Sequence, residues 1–231
     1  MRIIFTLLFI SSLSLFSSSQ TKTTTLYYGL NISKWTNEAN RFAKDSGDMI
    51  NLEEGFSNFK FKNESKIGFT IGFNMGFPIS GNVSFQPGIF YSQKGTVFNG
   101  EGFFDDVFIE EKFTMITDYV DLPLLFKLTL IPGKIKPFIV GGPSLGYLIN
   151  SKVKVTVKAM GNSESDTDDL ENCKYINLGL VFGGGVEFND RIRAEIKYDS
   201  GLSSIFDNDN DDIYIVKNGV LSICLAYIIN N

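Results

Sequence analysis

From Ile67 to Phe77 the chain reads Ile-Gly-Phe-Thr-Ile-Gly-Phe-Asn-Met-Gly-Phe, with a large apolar side chain at every odd position and a small or polar one at every even position. A helix, turning once in about 3.6 residues, would scatter those apolar groups around its circumference. A strand has a period of two and gathers them all on one face. The alternation returns between Arg191 and Tyr198, where Ile192, Ala194, Ile196 and Tyr198 share one face and Arg191, Arg193, Glu195 and Lys197 share the other. It returns a third time from Leu221 to Tyr227. One-sided burial of this kind commits the chain to sheet, and these three segments are predicted strands.

Residues 26–35, 83–95, 118–130, 136–149 and 175–188 carry weaker forms of the same pattern and bring the predicted strands to eight. Their lengths suit a bilayer, which a tilted strand crosses in about 9–11 residues. The connections alternate. Residues 78–82, 131–135 and 189–190 are short and hold the Gly, Pro, Asn and Asp that tight turns require. Residues 36–66, 96–117, 150–174 and 199–216 are long and polar. Short turns at one rim and long connections at the other are the arrangement of an outer-membrane barrel, whose long loops face the cell exterior. The expected fold is all-β, an eight-stranded antiparallel up-and-down transmembrane β-barrel over residues 20–231, without helical periodicity anywhere in it.

Residues 1–19 read as a cleaved signal peptide. Arg2 supplies the positive start, residues 3–15 an apolar stretch, and Ser17, Ser18 and Ser19 a small-residue cleavage region. Beyond them no apolar run approaches the roughly 18 residues of a spanning helix. Cys173 and Cys224 fall at different heights on strands that are not neighbours, and both are expected as free thiols.

The chain contains no histidine. That removes Ser-His-Asp and Cys-His nucleophile activation, His-ligated zinc and the usual proton shuttle near neutral pH. A formal net charge of −5 disfavours a sequence-independent grip on nucleic-acid phosphates. The expectation is a protein that is not an enzyme and uses no cofactor.

Two rings of aromatics fall on the apolar faces. Tyr28, Phe77, Phe85, Phe188 and Tyr227 lie toward the short-turn rim, and Phe69, Tyr91, Tyr147 and Tyr198 toward the long-connection rim. Such rings mark the headgroup depth on either side of a bilayer. Trp35 lands on the other face. Pro87, Pro123 and Pro143 lie inside predicted strands, where each removes a ladder N–H, and β-bulges are expected there.

With the strands laid out, the segment from Tyr119 to Lys127 (Tyr-Val-Asp-Leu-Pro-Leu-Leu-Phe-Lys), followed by Lys136-Pro-Phe-Ile-Val-Gly-Gly-Pro-Ser-Leu-Gly-Tyr147, resembles the PorT-like outer-membrane β-barrel family of Gram-negative bacteria. Gly183-Gly-Gly-Val-Glu-Phe188 and Tyr198-Asp-Ser-Gly-Leu-Ser-Ser-Ile205 continue the likeness, as does Lys217-Asn218 at the start of the last strand. The resemblance spans nearly all of the chain after the signal peptide and includes the in-strand prolines. It implies the barrel, outer-membrane lipid as its surroundings, and outer-membrane or secretion-apparatus proteins as partners. Its motifs are strand signatures and specify no chemistry.

Apolar faces turned to lipid send the other faces inward. Asp121, Lys127, Glu187, Arg193, Glu195 and Lys197 then form a candidate lumenal charge network among Thr70, Asn74, Ser84, Gln86 and Asn177. Eight strands enclose a space that side chains can fill, and buried charges there must pair. In the last long connection, Asp207, Asp209 and Asp211 are weak candidates for a divalent cation, with 163–171 a second acidic tract. An EF-hand reading fails, because the sixth position from Asp207 is Asp212 and the twelfth Asn218.

The functional expectation is a non-enzymatic integral outer-membrane protein with short periplasmic turns and long acidic surface loops. Its role would be structural or interactive, with the link to protein secretion that the resemblance implies. The alternative is a secreted soluble eight-stranded barrel holding a small apolar ligand, as lipocalins do. Alternation alone does not separate the two.

Overall fold

The computed structural model describes residues 22–53, 57–105, 107–206 and 214–230; the predicted signal peptide and the cation candidates Asp207, Asp209 and Asp211 lie outside the described residues. The elements run β1 (Thr23–Asn37), α1 (Ala39–Glu53), β2 (Ser57–Glu64), β3 (Lys66–Ser80), β4 (Val83–Phe104), β5 (Val107–Thr129), β6 (Ile135–Ala159), β7 (Asn162–Asp169), β8 (Ile176–Phe188), β9 (Ile192–Gly201) and β10 (Val216–Asn230).

Eight strands close into a ring. In the order β1, β3, β4, β5, β6, β8, β9, β10 each pairs antiparallel with the next, and β10 returns to β1. The closing ladder is long, running from Thr23 opposite Asn230 to Asn37 opposite Val216. Closure leaves no open sheet edge within the ring, which is the condition for strands in hydrocarbon, where an unpaired N–H has no water to turn to. The tight turns follow from local chemistry. Gly81 (φ 47°), Asn189 (φ 48°) and Asp190 (φ 55°) occupy the left-handed region that such turns use.

Period two separates the faces. Phe73 is 41% exposed on the outer side, while Asn74 beside it is 3% exposed on the inner side. Ile71, Leu124, Leu180, Ile196 and Leu225, from five different strands, are also exposed. This apolar belt encircles the ring and finds its solvent in lipid. Phe69 lies against Tyr91 with ring centroids 5.2 Å apart, and Tyr147 against Tyr175 at 6.2 Å, toward the long-connection rim. Phe85 and Phe126, 5.3 Å apart, lie toward the other rim.

The prolines do not produce the expected bulges. Register is the same on both sides of each: Pro87 is opposite Leu124 and Phe90 opposite Asp121, while Pro123 is opposite Ser144 and Phe126 opposite Gly141. Pro143 sits in an unbroken register opposite Leu180. The ladder opens locally and resumes without inserting a residue. Register shifts occur elsewhere, between Asp118 and Tyr119 and between Pro78 and Ser80.

Three of the four long connections are not irregular, which corrects the sequence reading. β4, β5 and β6 run 22, 23 and 25 residues, far beyond what a membrane needs. Above the belt they continue as a sheet ordered β2-β4-β5-β6-β7. The helix α1, which no periodicity announced, packs on the inward face of this sheet. There Ala39, Ala43, Trp35, Phe98, Met115, Ile205 and Val216 form one buried apolar cluster. Trp35, 1% exposed, points inward because it belongs to this cap and not to an aromatic ring at the membrane surface. Both cysteines are free thiols.

Candidate functional site

The interior is built by the polar positions of the alternating strands. On β9, Arg193, Glu195 and Lys197 follow one another at intervals of two, so all three must point into the ring. Arg193 donates to Glu187 of β8 and to the Tyr27 hydroxyl, and to Gln86 Oε1 at 3.2 Å. Its guanidinium also lies over the Phe138 ring, 5.0 Å from the centroid. Glu187 accepts Lys127 Nζ at 2.6 Å. Glu195 accepts Lys197 Nζ at 3.1 Å and the Tyr27 hydroxyl at 3.3 Å. The structure thus brings Lys127, Glu187, Arg193, Glu195 and Lys197 into one network of alternating charge, with Asn74 joined to it through Tyr27 and Gln86.

Asp121 does not belong to that network. It lies higher, at 3.0 Å from Lys94 Nζ, and the same ammonium reaches Asp199 at 3.1 Å. Lys94 also sits over the Tyr119 ring, 5.0 Å from its centroid. Lys94, Asp199 and Tyr27 were missed by sequence reasoning, although parity could have found two of them. Lys94 follows Ser84 and Gln86 at even positions on β4, and Asp199 follows Arg193, Glu195 and Lys197 at odd positions on β9. Tyr27 was overlooked beside Tyr28, which is 61% exposed and faces outward.

Between the two clusters a small cavity of about 50 Å³ is lined by Thr70, Ser92, Ser144, Ser222, Lys197 and Asp199 among others. Small-molecule sites usually measure hundreds of cubic ångströms and are mostly apolar. This one has room only for a few waters, and its wall mixes hydroxyls and charge with Phe90, Pro123, Leu125 and Val181. It is too small for an apolar ligand of ordinary size. Below it the inward Leu125, Phe138, Val140 and Val181 pack together, and above it the apolar cap closes the long-connection end.

The acidic tract at 163–171 is placed mainly on β7, an edge strand with every residue exposed. Alternation sends Glu164, Asp166 and Asp168 to one face, opposite Val157, Val155 and Val153, and Asp169 to the other, opposite Lys152. Among the described residues no group of three or more acidic or thiol side chains is gathered as a metal would require.

A family model described as "Outer membrane protein beta-barrel domain" matches residues 18–207. No curated protein sequence matches the chain. Among solved structures, Ail, the attachment invasion locus protein of Yersinia pestis, is 12% identical. The match covers 91% of this chain and 100% of that one at a TM-score of 0.37. Neisserial surface protein A is 13% identical over 88% of this chain and 96% of that one, with a TM-score of 0.35. The outer-membrane enzyme PagL is 10% identical over 90% and 98%, with a TM-score of 0.30.

Proposed function

The chain belongs to the outer membrane protein β-barrel domain family, and from that premise we propose that it is a non-enzymatic barrel whose lumen its own ion pairs keep shut and whose β2-β4-β5-β6-β7 sheet is a cell-surface interaction platform. It is an integral outer-membrane protein. The observation that carries the rest is the pair of charge clusters spanning the interior, Lys127–Glu187–Arg193–Glu195–Lys197 and Asp121–Lys94–Asp199.

A conducting lumen keeps its charged groups wet and apart. Here Arg193, Lys94 and Glu195 are at most 3% exposed, and each is held by partners of opposite sign. Charges so paired and dehydrated form a plug, since moving an ion past them would mean breaking contacts that water does not replace. The extended sheet argues for interaction, since it projects well beyond the bilayer. While α1 covers its β2 edge, with Asn51 bonding both backbone groups of Phe59, its β7 edge is exposed at every residue. The PorT-like motifs make proteins of an outer-membrane secretion apparatus the partner class for that sheet. A soluble lipocalin-like carrier is not favoured, because an apolar belt faces outward and the interior is charged.

Planar-bilayer recording tests the closed lumen. Purified protein is expected to insert without discrete current steps; regular stepwise conductance would overturn the plug. Protease added to intact cells tests the orientation and is expected to cut between β4 and β5 while leaving the 78–82 turn intact.

A further inference from the structure

The projecting sheet turns its lysines to one face, where Glu101 and Glu110 stand among them. On β6 the run Lys152-Val-Lys-Val-Thr-Val-Lys158 alternates, so Val153, Val155 and Val157 face the cap side and Lys152, Lys154 and Lys158 face outward. On β5 Lys112 also faces outward, opposite Thr156, and Thr114 stands opposite Lys154. The carboxylates Glu111, Glu164, Asp166 and Asp168 share the cap-side face with the valines. The outward face is continuous with the lipid-facing belt below it.

Some of its charge is already engaged. Lys158 pairs with Glu110 at 3.4 Å, and Lys62 with Glu64 at 3.0 Å. Lys112, Lys152 and Lys154 are exposed and make no ion pair among the described residues, although Asp169 stands across the ladder from Lys152. Three neighbouring ammonium groups framed by the hydroxyls of Thr114, Thr156 and Thr167 suit a phosphate-bearing group.

Height narrows the class. Lys152 lies five residues beyond Tyr147, whose ring stacks on Tyr175 at the outer aromatic ring. One of those five residues is taken up by the register shift opposite Asp118 and Tyr119. At about 3.3 Å per step and a tilt near 40°, the height is roughly 10 Å above the ring. Ordinary headgroup regions are only about 5–7 Å thick on each side. A lysine stem can reach down part of that distance, but a bulky headgroup bridges it better.

We propose that the outward lysines Lys112, Lys152 and Lys154 hold the phosphorylated saccharide headgroup of an outer-leaflet glycolipid against the barrel wall. This rests on the long-connection rim facing the cell exterior, which the protease experiment on intact cells decides separately. The test places purified barrel in phosphatidylcholine nanodiscs carrying a minor fraction of a bisphosphorylated lipooligosaccharide, its dephosphorylated form, or phosphatidylglycerol. Lipid retained per barrel is counted by native mass spectrometry. The wild type is expected to retain the phosphorylated saccharide lipid in preference to the other two. K112Q/K152Q/K154Q should lose roughly 100–200-fold in retention at about one kcal/mol for each surface lysine. K134Q, at the opposite rim, should retain it unchanged, and the gel shift between unheated and boiled samples verifies that each variant folds. Equal retention by the triple variant, or of phosphatidylglycerol or the dephosphorylated lipid by the wild type, would overturn the proposal.

Discussion

Lys94 Nζ lies 3.1 Å from a carboxylate oxygen of Asp199, a residue 105 positions further along the chain, and the same ammonium holds Asp121. One cation therefore serves two carboxylates on different strands in a place that water barely reaches. Replacing Lys94 by Met leaves two acids to share a site with nothing between them. Removal of one partner from a buried pair typically costs about 3–5 kcal/mol, because the remaining charge stays buried. Lys94→Met is expected to lower the temperature at which the folded gel band disappears. Asp121→Asn with Asp199→Asn in the same chain should restore much of it. A triple variant no more stable than Lys94→Met alone would show that the lysine acts by packing and not by charge.

The outer and inner faces of β3 give a second expectation. Phe73 is outward, and Asn74 is inward, donating to the Tyr27 hydroxyl at 3.0 Å. Phe73→Arg should cost roughly 2–4 kcal/mol near the bilayer midplane, and the same change at Ile79 far less, as the rim approaches. Asn74→Leu is expected to act differently, by stranding Tyr27 and Gln86 within the charge network. Denaturant titrations in liposomes measure all three; equal costs at Phe73 and Ile79 would contradict the position of the belt.

Most of the ring was legible because period two leaves little choice. The run from Ile67 to Phe77 could bury one face only as a strand, and it does so in β3. The cap was not legible. In α1 the helical spacing is carried by Ala39, Phe42 and Ala43, two of them alanines, with Ser46, Gly47 and Asp48 following. Such a helix is stabilised by docking on Trp35 and Phe98 and not by its own propensity. β7 has no apolar residue at all, so only its pairing with β6 makes it a strand. The alternation from Lys152 to Lys158 lies within the stretch 150–174, which in sequence reads as a long polar connection. In the lumen, parity identifies which side chains point inward but not which of them meet. That depends on register between strands, so Lys94 and Asp199 became partners only when the ring was closed.

Backbone crowding beside the prolines yields a third expectation. A Cβ added at Gly142 would lie 2.2 Å from the carbonyl oxygen of Leu124, a backbone atom that cannot swing aside. β5 and β6 approach closely there, next to Pro123 and Pro143, where the ladder is already open. Gly142→Ala should force the two strands apart and cost about 1–3 kcal/mol, as overpacking does. Gly81→Ala at a solvent-facing turn meets no atom, so its cost is only that of a left-handed φ. Refolding yield into detergent compares the two; a smaller loss for Gly142→Ala than for Gly81→Ala would refute the close approach.

Cys173 reports on the cap. It bridges to Phe206 and packs at the margin of the apolar cluster around Trp35. Burial pushes its thiol up to about 11, with a hydrogen bond involving Ser151 pulling only partly against it. The thiol is the reactive species' precursor and the thiolate the nucleophile, so alkylation should be slow at pH 8 and accelerate through pH 9–11. The linkage has a definite sign. A folded-state value above the unfolded one contributes stability that is complete below the unfolded value, near pH 9, and is lost as pH rises toward 11. Phe206→Ala should loosen the contact, bring the midpoint of alkylation down toward that of a free thiol, and speed the reaction at pH 8. The rate is measured by mass spectrometry of iodoacetamide-treated protein, in a Cys224→Ala background that isolates the single thiol. Wild-type Cys173 reacting at pH 8 as fast as an unfolded control would mean that the cap does not close over the barrel mouth.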